Sequence, residues 1–239
     1  MHIPNGFLDP KMSGGLLGMA LGVLGYCLGK VMAAVTSVVP QRVMAAVGNG
    51  MANIQGAGKR VLTKIGEEKL YQMAVVAAWI FSAQMFNFPI NSGTSGHLIG
   101  GVFAAVLVGP FAATVVISLV LAVQAMFFGD GGLSALGANI FNMAVIGSFA
   151  GYYVYAGFKK IFPETVSVAL AAWLSVVLAA LACSWEIGMS GKIGLHEITW
   201  AMMKVHCVIG VAEAVVTVMM LKLFEKSGSG KIETTDREA

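Results

Sequence analysis

The sequence predicts an all-α polytopic membrane protein with about seven transmembrane helices. Three observations carry that prediction. Of 239 residues, 57% are hydrophobic and only 11% are charged, whereas a soluble domain carries about 25% charged residues. No Asp, Glu, Lys or Arg occurs from Leu70 to Gly129, and a run of about 20 apolar residues crosses a bilayer as a helix. The basic residues fall between the apolar runs with a strong bias to alternate connections, as the positive-inside rule requires.

The first crossing is expected near Ser13 to Val35 and the second from Leu70 to about Asn87. A short third segment, near Leu98 to Val108, is broken by Gly109-Pro110, since proline cannot continue a helix. A fourth runs on to Phe128, a fifth spans about Ala135 to Phe158, a sixth Thr165 to Trp185 and a seventh Ile198 to Leu223. Gly14, Gly15, Gly18, Gly22, Gly25 and Gly29 crowd the first segment, and such small residues allow membrane helices to approach closely. Thr36 to Lys69 reads as a cytoplasmic loop with some interfacial helix. The polar residues 227–239 read as a disordered cytoplasmic tail, which leaves residues 1–226 as a single integral-membrane domain. A cleavable signal peptide is not expected, because only Lys11 precedes the first apolar core.

If the N-terminus is outside, Lys30, Arg42, Lys59, Arg60, Lys64, Lys69, Lys159, Lys160, Lys222, Lys226, Lys231 and Arg237 are cytoplasmic. Only Lys11, Lys192 and Lys204 fall on the other side. This places the chain in the cell membrane with its C-terminus in the cytoplasm. It also puts Phe88 to His97 on the outer face, where the chain begins.

The opening residues Met1-His2-Ile3-Pro4 form a chelating motif. The α-amine of Met1, the deprotonated backbone nitrogen of His2 and its Nδ1 can close a five- and then a six-membered ring on one metal. These nitrogens lie nearly in a plane, which suits Ni(II) or Cu(II). Asn91 to Gly96 make a glycine-rich polar loop ending at His97, which could supply a fourth in-plane nitrogen. His206 and Glu213, seven residues apart, share one face of the last segment. Ionisable groups inside a membrane usually face a partner or a path, so this pair is a network supporting the metal ligands, a proton or metal relay, or a polar contact between helices. Asn139 and Asn142 point to a hydrogen-bonded helix contact or to support behind His97, and Asp130 to a turn or cap, with attraction of cations as the alternative. Cys27, Cys183 and Cys207 show no CxxC spacing and read as buried apolar residues. Gly58-Lys59 is no Walker loop, because Asn53 and Arg60 stand where Gly and Ser or Thr belong. No ATP site and no catalytic motif is expected in this chain, and no nucleic-acid partner.

Met1-His2-Ile3-Pro4-x-Gly6-Phe7-Leu8, Asn87-Phe88-Pro89, and Gly93-Thr94-Ser95-Gly96-His97-Leu98-x-Gly100-Gly101 are similar to the CbiM/NikM family. So are Leu107-x-Gly109-Pro110, Phe128-Gly129-Asp130-Gly131-Gly132, Gly137-Ala138-Asn139-x-Phe141-Asn142-Met143 and His206-x-x-Ile209-Gly210-x-x-Glu213. Members are the substrate-binding membrane subunits (S components) of energy-coupling-factor cobalt/nickel ABC transporters. The resemblance implies an S-component fold with an extra N-terminal helix, and Ni²⁺ or Co²⁺ bound as transported substrate by Met1, His2 and His97. It also implies three kinds of protein partner within the lipid membrane and below it: a transmembrane coupling subunit, cytoplasmic ABC ATPases that hydrolyse ATP, and a small accessory membrane subunit. Planar four-nitrogen ligation leans toward nickel. The alternative is an ion-coupled metal carrier or channel in which His206 and Glu213 relay protons.

Overall fold

The computed structural model describes residues 1–47, 50–90 and 94–226. Among these, seven helices set the architecture: α1 (Pro10–Val35), α2 (Lys64–Gln84), α3 (Gly101–Val108), α4 (Pro110–Phe128), α5 (Leu133–Phe158), α6 (Glu164–Met189) and α7 (Leu195–Lys226). Five of them, α1 and α4 to α7, are long and apolar enough to cross a bilayer. α2 opens on Lys64, Glu67, Glu68 and Lys69 and so begins before the expected Leu70. α3 has 8 residues, about 12 Å of helix, too short to cross alone. The expected tail at 227–239 and Asn91, Ser92 and Gly93 lie outside the described residues.

Local chemistry sets the boundaries. The Asp9 carboxylate accepts the N–H groups of Lys11 and Met12 at 2.9 and 3.2 Å, and Pro10 stands at the first helical position of α1, where its missing N–H costs nothing. The Thr63 hydroxyl accepts the Gly66 N–H at 2.9 Å and starts α2. Gly109, at φ +85°, stops α3 and turns the chain into Pro110 of α4, a backbone conformation that a residue with a Cβ resists.

The connection from α1 to α2 corrects the sequence expectation. Instead of an interfacial helix, β1 (Thr36–Val47) and β2 (Gly50–Leu62) form an antiparallel hairpin, in register from Thr36↔Leu62 to Val47↔Gly50. Val38, Val39 and Val43 favour extended backbone. The register slips between Val39 and Gln41, at Pro40, which has no N–H to give the ladder. A second small hairpin, β3 (Phe88–Ile90) with β4 (Thr94–Gly96), leads into His97.

α4 lies at the centre, with 67% of its apolar window buried, while α1 and α7 have 22% of theirs buried and stand at the periphery. α6 and α7 pack along each other and α5 packs on α4. α5 is not uniform: after Leu136–Ile140 it winds as a π-helix over Phe141–Ala150 before returning to α-geometry at Gly151. Such widened turns often accompany function, and this one begins two residues after Asn139.

Candidate metal centre

The first eight residues do not fray. Met1 and Ile3 are fully buried, and His2 is 3% exposed. They thread into the turn between α4 and α5, which grips their backbone. The Ile3 N–H donates to Asn139 Oδ1 at 2.8 Å, and Asn139 Nδ2 donates back to the Ile3 carbonyl at 3.2 Å. The Gly132 N–H donates to the same carbonyl at 2.9 Å. Asn5 Oδ1 accepts the N–H and hydroxyl of Ser134 at 3.0 and 2.9 Å. The carboxamide of Asn139 therefore acts as an adjoining strand would, satisfying a buried backbone that has no ladder.

The turn is shaped for this passage. Gly131 sits at φ +89°, and a Cβ there would lie 3.4 Å from the His2 ring. A Cβ at Gly132 would lie 2.6 Å from the carbonyl carbon of Pro4. Glycine is the residue that leaves the strap its room.

Burial lowers the Met1 amine from 8.0 to about 5, against the opposing pull of Cys183 and Asp130. At neutral pH it is an uncharged lone pair. Burial also lowers His2, opposed by its hydrogen bond to Asp130, and lowers His97 well below its ordinary value, with the amine and His2 adding to the effect. Burial alone would raise the Asp130 carboxyl, but its hydrogen bond with His2, joined by that from Asn87, outweighs it and holds the group below its usual range. The centre thus offers neutral nitrogen donors beside one carboxylate.

The rings of His2 and His97 stand with centroids 4.6 Å apart, tilted by 41°. His2 Nδ1 lies 2.6 Å from Asp130 Oδ1, and Asn87 Nδ2 donates to the same oxygen at 3.2 Å. A neutral His2 therefore carries its proton on Nδ1. His97 Nδ1 lies 2.7 Å from the Leu98 carbonyl, which fixes that tautomer too and leaves the lone pair on Nε2. The Nε2 atoms of His2, His97 and His206 are buried without a hydrogen-bond partner. Among the described residues, no three His, Cys, Asp or Glu side chains converge closely enough to hold an ion, so any metal held here must draw on main-chain and terminal nitrogens.

The remaining predicted residues divide into supports. His206 is fully buried and its Nδ1 lies 2.8 Å from the Met202 carbonyl. Glu213 takes the N–H groups of Ile99 and Gly100 at 2.8 and 2.7 Å, so it grips the loop that carries His97. Asn139 supports the strap at Ile3, and Asn142 Nδ2 donates to Glu186 Oε2 at 2.7 Å. Glu186 was not singled out from sequence, although a carboxylate in an apolar segment is itself a functional signal. Gln84, whose Nε2 donates to the Ile99 carbonyl at 2.8 Å, carried no such signal. Asp130, expected to shape a turn or to attract cations, lies 2.6 Å from His2 Nδ1.

The pattern of the CbiM family, described as a cobalt uptake substrate-specific transmembrane region, matches residues 2–229. A protein of Archaeoglobus fulgidus that bears the name of a fused nickel transport protein, NikMN, is 34% identical over 219 residues, 91% of this chain and 63% of that one. One of Lactiplantibacillus plantarum, named for fused nickel transport as LarMN, is 32% identical over 95% of this chain and 65% of its own length. The chain spans less than two thirds of either relative. The crystal structure of a transition metal transporter superposes with a TM-score of 0.79 at 30% identity, over 99% of both chains. The fold and sequence resemblance agree, and the chain belongs to the CbiM family of cobalt uptake substrate-specific transmembrane regions.

Proposed function

We propose that this chain is the metal-capture subunit of a transporter that imports Ni(II) or Co(II), forming one membrane domain over residues 1–226. The substrate is held by the Met1 amine, the backbone nitrogen and Nδ1 of His2, and Nε2 of His97. The observation that carries this is the buried, uncharged amine of Met1 beside two imidazole rings 4.6 Å apart. Burying an amine in apolar surroundings is costly, and a metal gives that burial a purpose. Capture exchanges one partner for another: His2 Nδ1 gives up its bond to Asp130 and the ring proton passes to Nε2, which has no hydrogen-bond partner, as the metal closes the chelate rings. Three nitrogens from residues 1 and 2 with one from His97 make a planar set, which suits nickel better than cobalt; copper would bind more tightly still, so selection against it rests on availability and geometry.

The N-terminus faces outside and the C-terminus the cytoplasm, in keeping with the distribution of Lys and Arg. The work of import falls to partners of the energy-coupling-factor kind: a membrane coupling subunit, ABC ATPases and a small accessory subunit. The rival proton relay through His206 and Glu213 is disfavoured, because both Glu213 oxygens are taken by backbone N–H groups.

The test is titration of the purified protein with Ni(II) and Co(II), followed by visible absorption. His2→Ala, His97→Ala and a form extended before Met1 are run alongside. One tightly bound metal with a planar-type spectrum, lost or altered in all three variants, is expected. Undiminished binding in the His2→Ala and extended forms would refute the site.

A further inference from the structure

The His97 loop is held in a way the ligand set does not explain. Glu213 is 2% exposed and lies on α7, in a helix otherwise apolar over most of its length. A buried carboxylate in a membrane is costly and needs a reason. Its two oxygens accept the Ile99 and Gly100 N–H groups at 2.8 and 2.7 Å. Those donors stand at the entrance to α3, where a helix exposes unsatisfied N–H groups and favours negative charge. From the other side, Gln84 of α2 donates to the Ile99 carbonyl at 2.8 Å. The course of the backbone there depends on glycine: Gly100 sits at φ +72°, and a Cβ on it would lie 2.8 Å from the Ile80 side chain. The β3–β4 pairing of Phe88 with Gly96 fixes the residue just before His97. His97 is thus set between a hairpin behind and a carboxylate clamp ahead.

We propose that Glu213 is the positioning residue for the fourth metal ligand. It holds the peptides that follow His97, so that Nε2 faces the nitrogens of Met1 and His2, and α7 determines whether the substrate sits on four nitrogens or on three. This rests on the N-terminal site proposed above. Charge-assisted bonds to two N–H groups suit that task better than a hydroxyl, which could cap only one. Replacing one carboxylate oxygen with an amide leaves an N–H facing an N–H and opens the clamp on one side.

The experiment compares Glu213→Gln, His97→Ala and the double variant by Ni(II) titration, visible spectrum and thermal unfolding, all with the native N-terminus. Loss of such a support typically weakens metal binding by about 10–100-fold. Glu213→Gln is expected to weaken nickel to that extent and to shift its spectrum toward that of His97→Ala. In the His97→Ala background it is expected to add nothing. A folded Glu213→Gln with wild-type affinity and spectrum overturns the proposal while leaving the N-terminal site standing. An equal additional loss in the His97→Ala background also overturns it, because the effect then does not pass through His97. Nickel binding indifferent to His97→Ala defeats the site itself and the clamp with it. Should Glu213→Gln fail to fold, Glu213→Asp keeps the charge and shortens the reach, and the same spectral shift decides.

Discussion

Two sets of glycines in this chain look alike in sequence and behave differently in the structure. The first runs down α1: a Cβ added at Gly14, Gly15, Gly18, Gly22, Gly25 or Gly29 would meet no atom of the chain within 4 Å. The second, Gly131, Gly132 and Gly137, lies in the turn and first part of α5, and there each missing methyl has a neighbour in its place. A Cβ at Gly132 would strike the strap at Pro4 and Asn5, and one at Gly137 would lie 2.6 Å from the Leu17 nitrogen. α1 therefore does approach α5 closely, but the room is supplied by Gly137 on α5 and not by the glycines of α1 itself. Glycine density does not reveal close approach; the opposing backbone does.

The largest effect is expected at Gly132. Overpacking costs roughly 1–3 kcal/mol, and at the upper end Gly132→Ala would expel the strap and cut nickel affinity by about a hundredfold; wild-type affinity in equilibrium titration would show that the turn is not what seats the N-terminus. The turn also has an electrostatic consequence. With the amine lowered to about 5 and both histidines lowered, protons should compete for the amine only as the pH falls through about 5. An exposed α-amine, near pKa 8, would already be protonated at pH 7. Nickel uptake at pH 7 should then release about one proton, from the His2 amide, because the neutral ring only moves its proton from Nδ1 to Nε2; a second, counted by pH-stat titration, would mean a protonated amine. The same depression makes the unfolded chain bind more protons between pH 5 and 8, so stability should rise with pH across that window.

A smaller effect is expected at Gly137→Ala: a loss of roughly 1–3 kcal/mol in stability, read as a lower Tm, with the nickel spectrum unchanged. The smallest is at Gly22→Ala, where nothing opposes the methyl and helix propensity gains at most about 1 kcal/mol. A fall in Tm there would show that the α1 face is covered.

Most of the fold was legible because it rests on hydropathy and breakers. The charge-free run, Gly109-Pro110 and the apolar segments lead directly to α4 to α7 and to the broken α3. The α1–α2 connection was not, since extended and helical backbone compete in a polar, glycine-containing stretch and the hairpin is decided by pairing across residues 36 to 62. Met1, His2 and His97 stood out in the sequence as candidate ligands, because a chelate motif is local. Their partners were not: Asp130 meets His2 across 128 positions, and Glu213 meets Ile99 across 114. Only the tertiary structure tells a clamp on a loop from a relay along a helix.

The threading of Ile3 against Asn139, 136 residues away, orders events in time. Residues 1 to 3 are synthesised before the α4–α5 turn and have no seat until that turn has been made and inserted. Met1 and His2 must wait, solvated and mobile, while more than half the chain is synthesised. Docking the strap is then a late, long-range closure on a nearly finished bundle, and the centre matures only after the helices around it are in place.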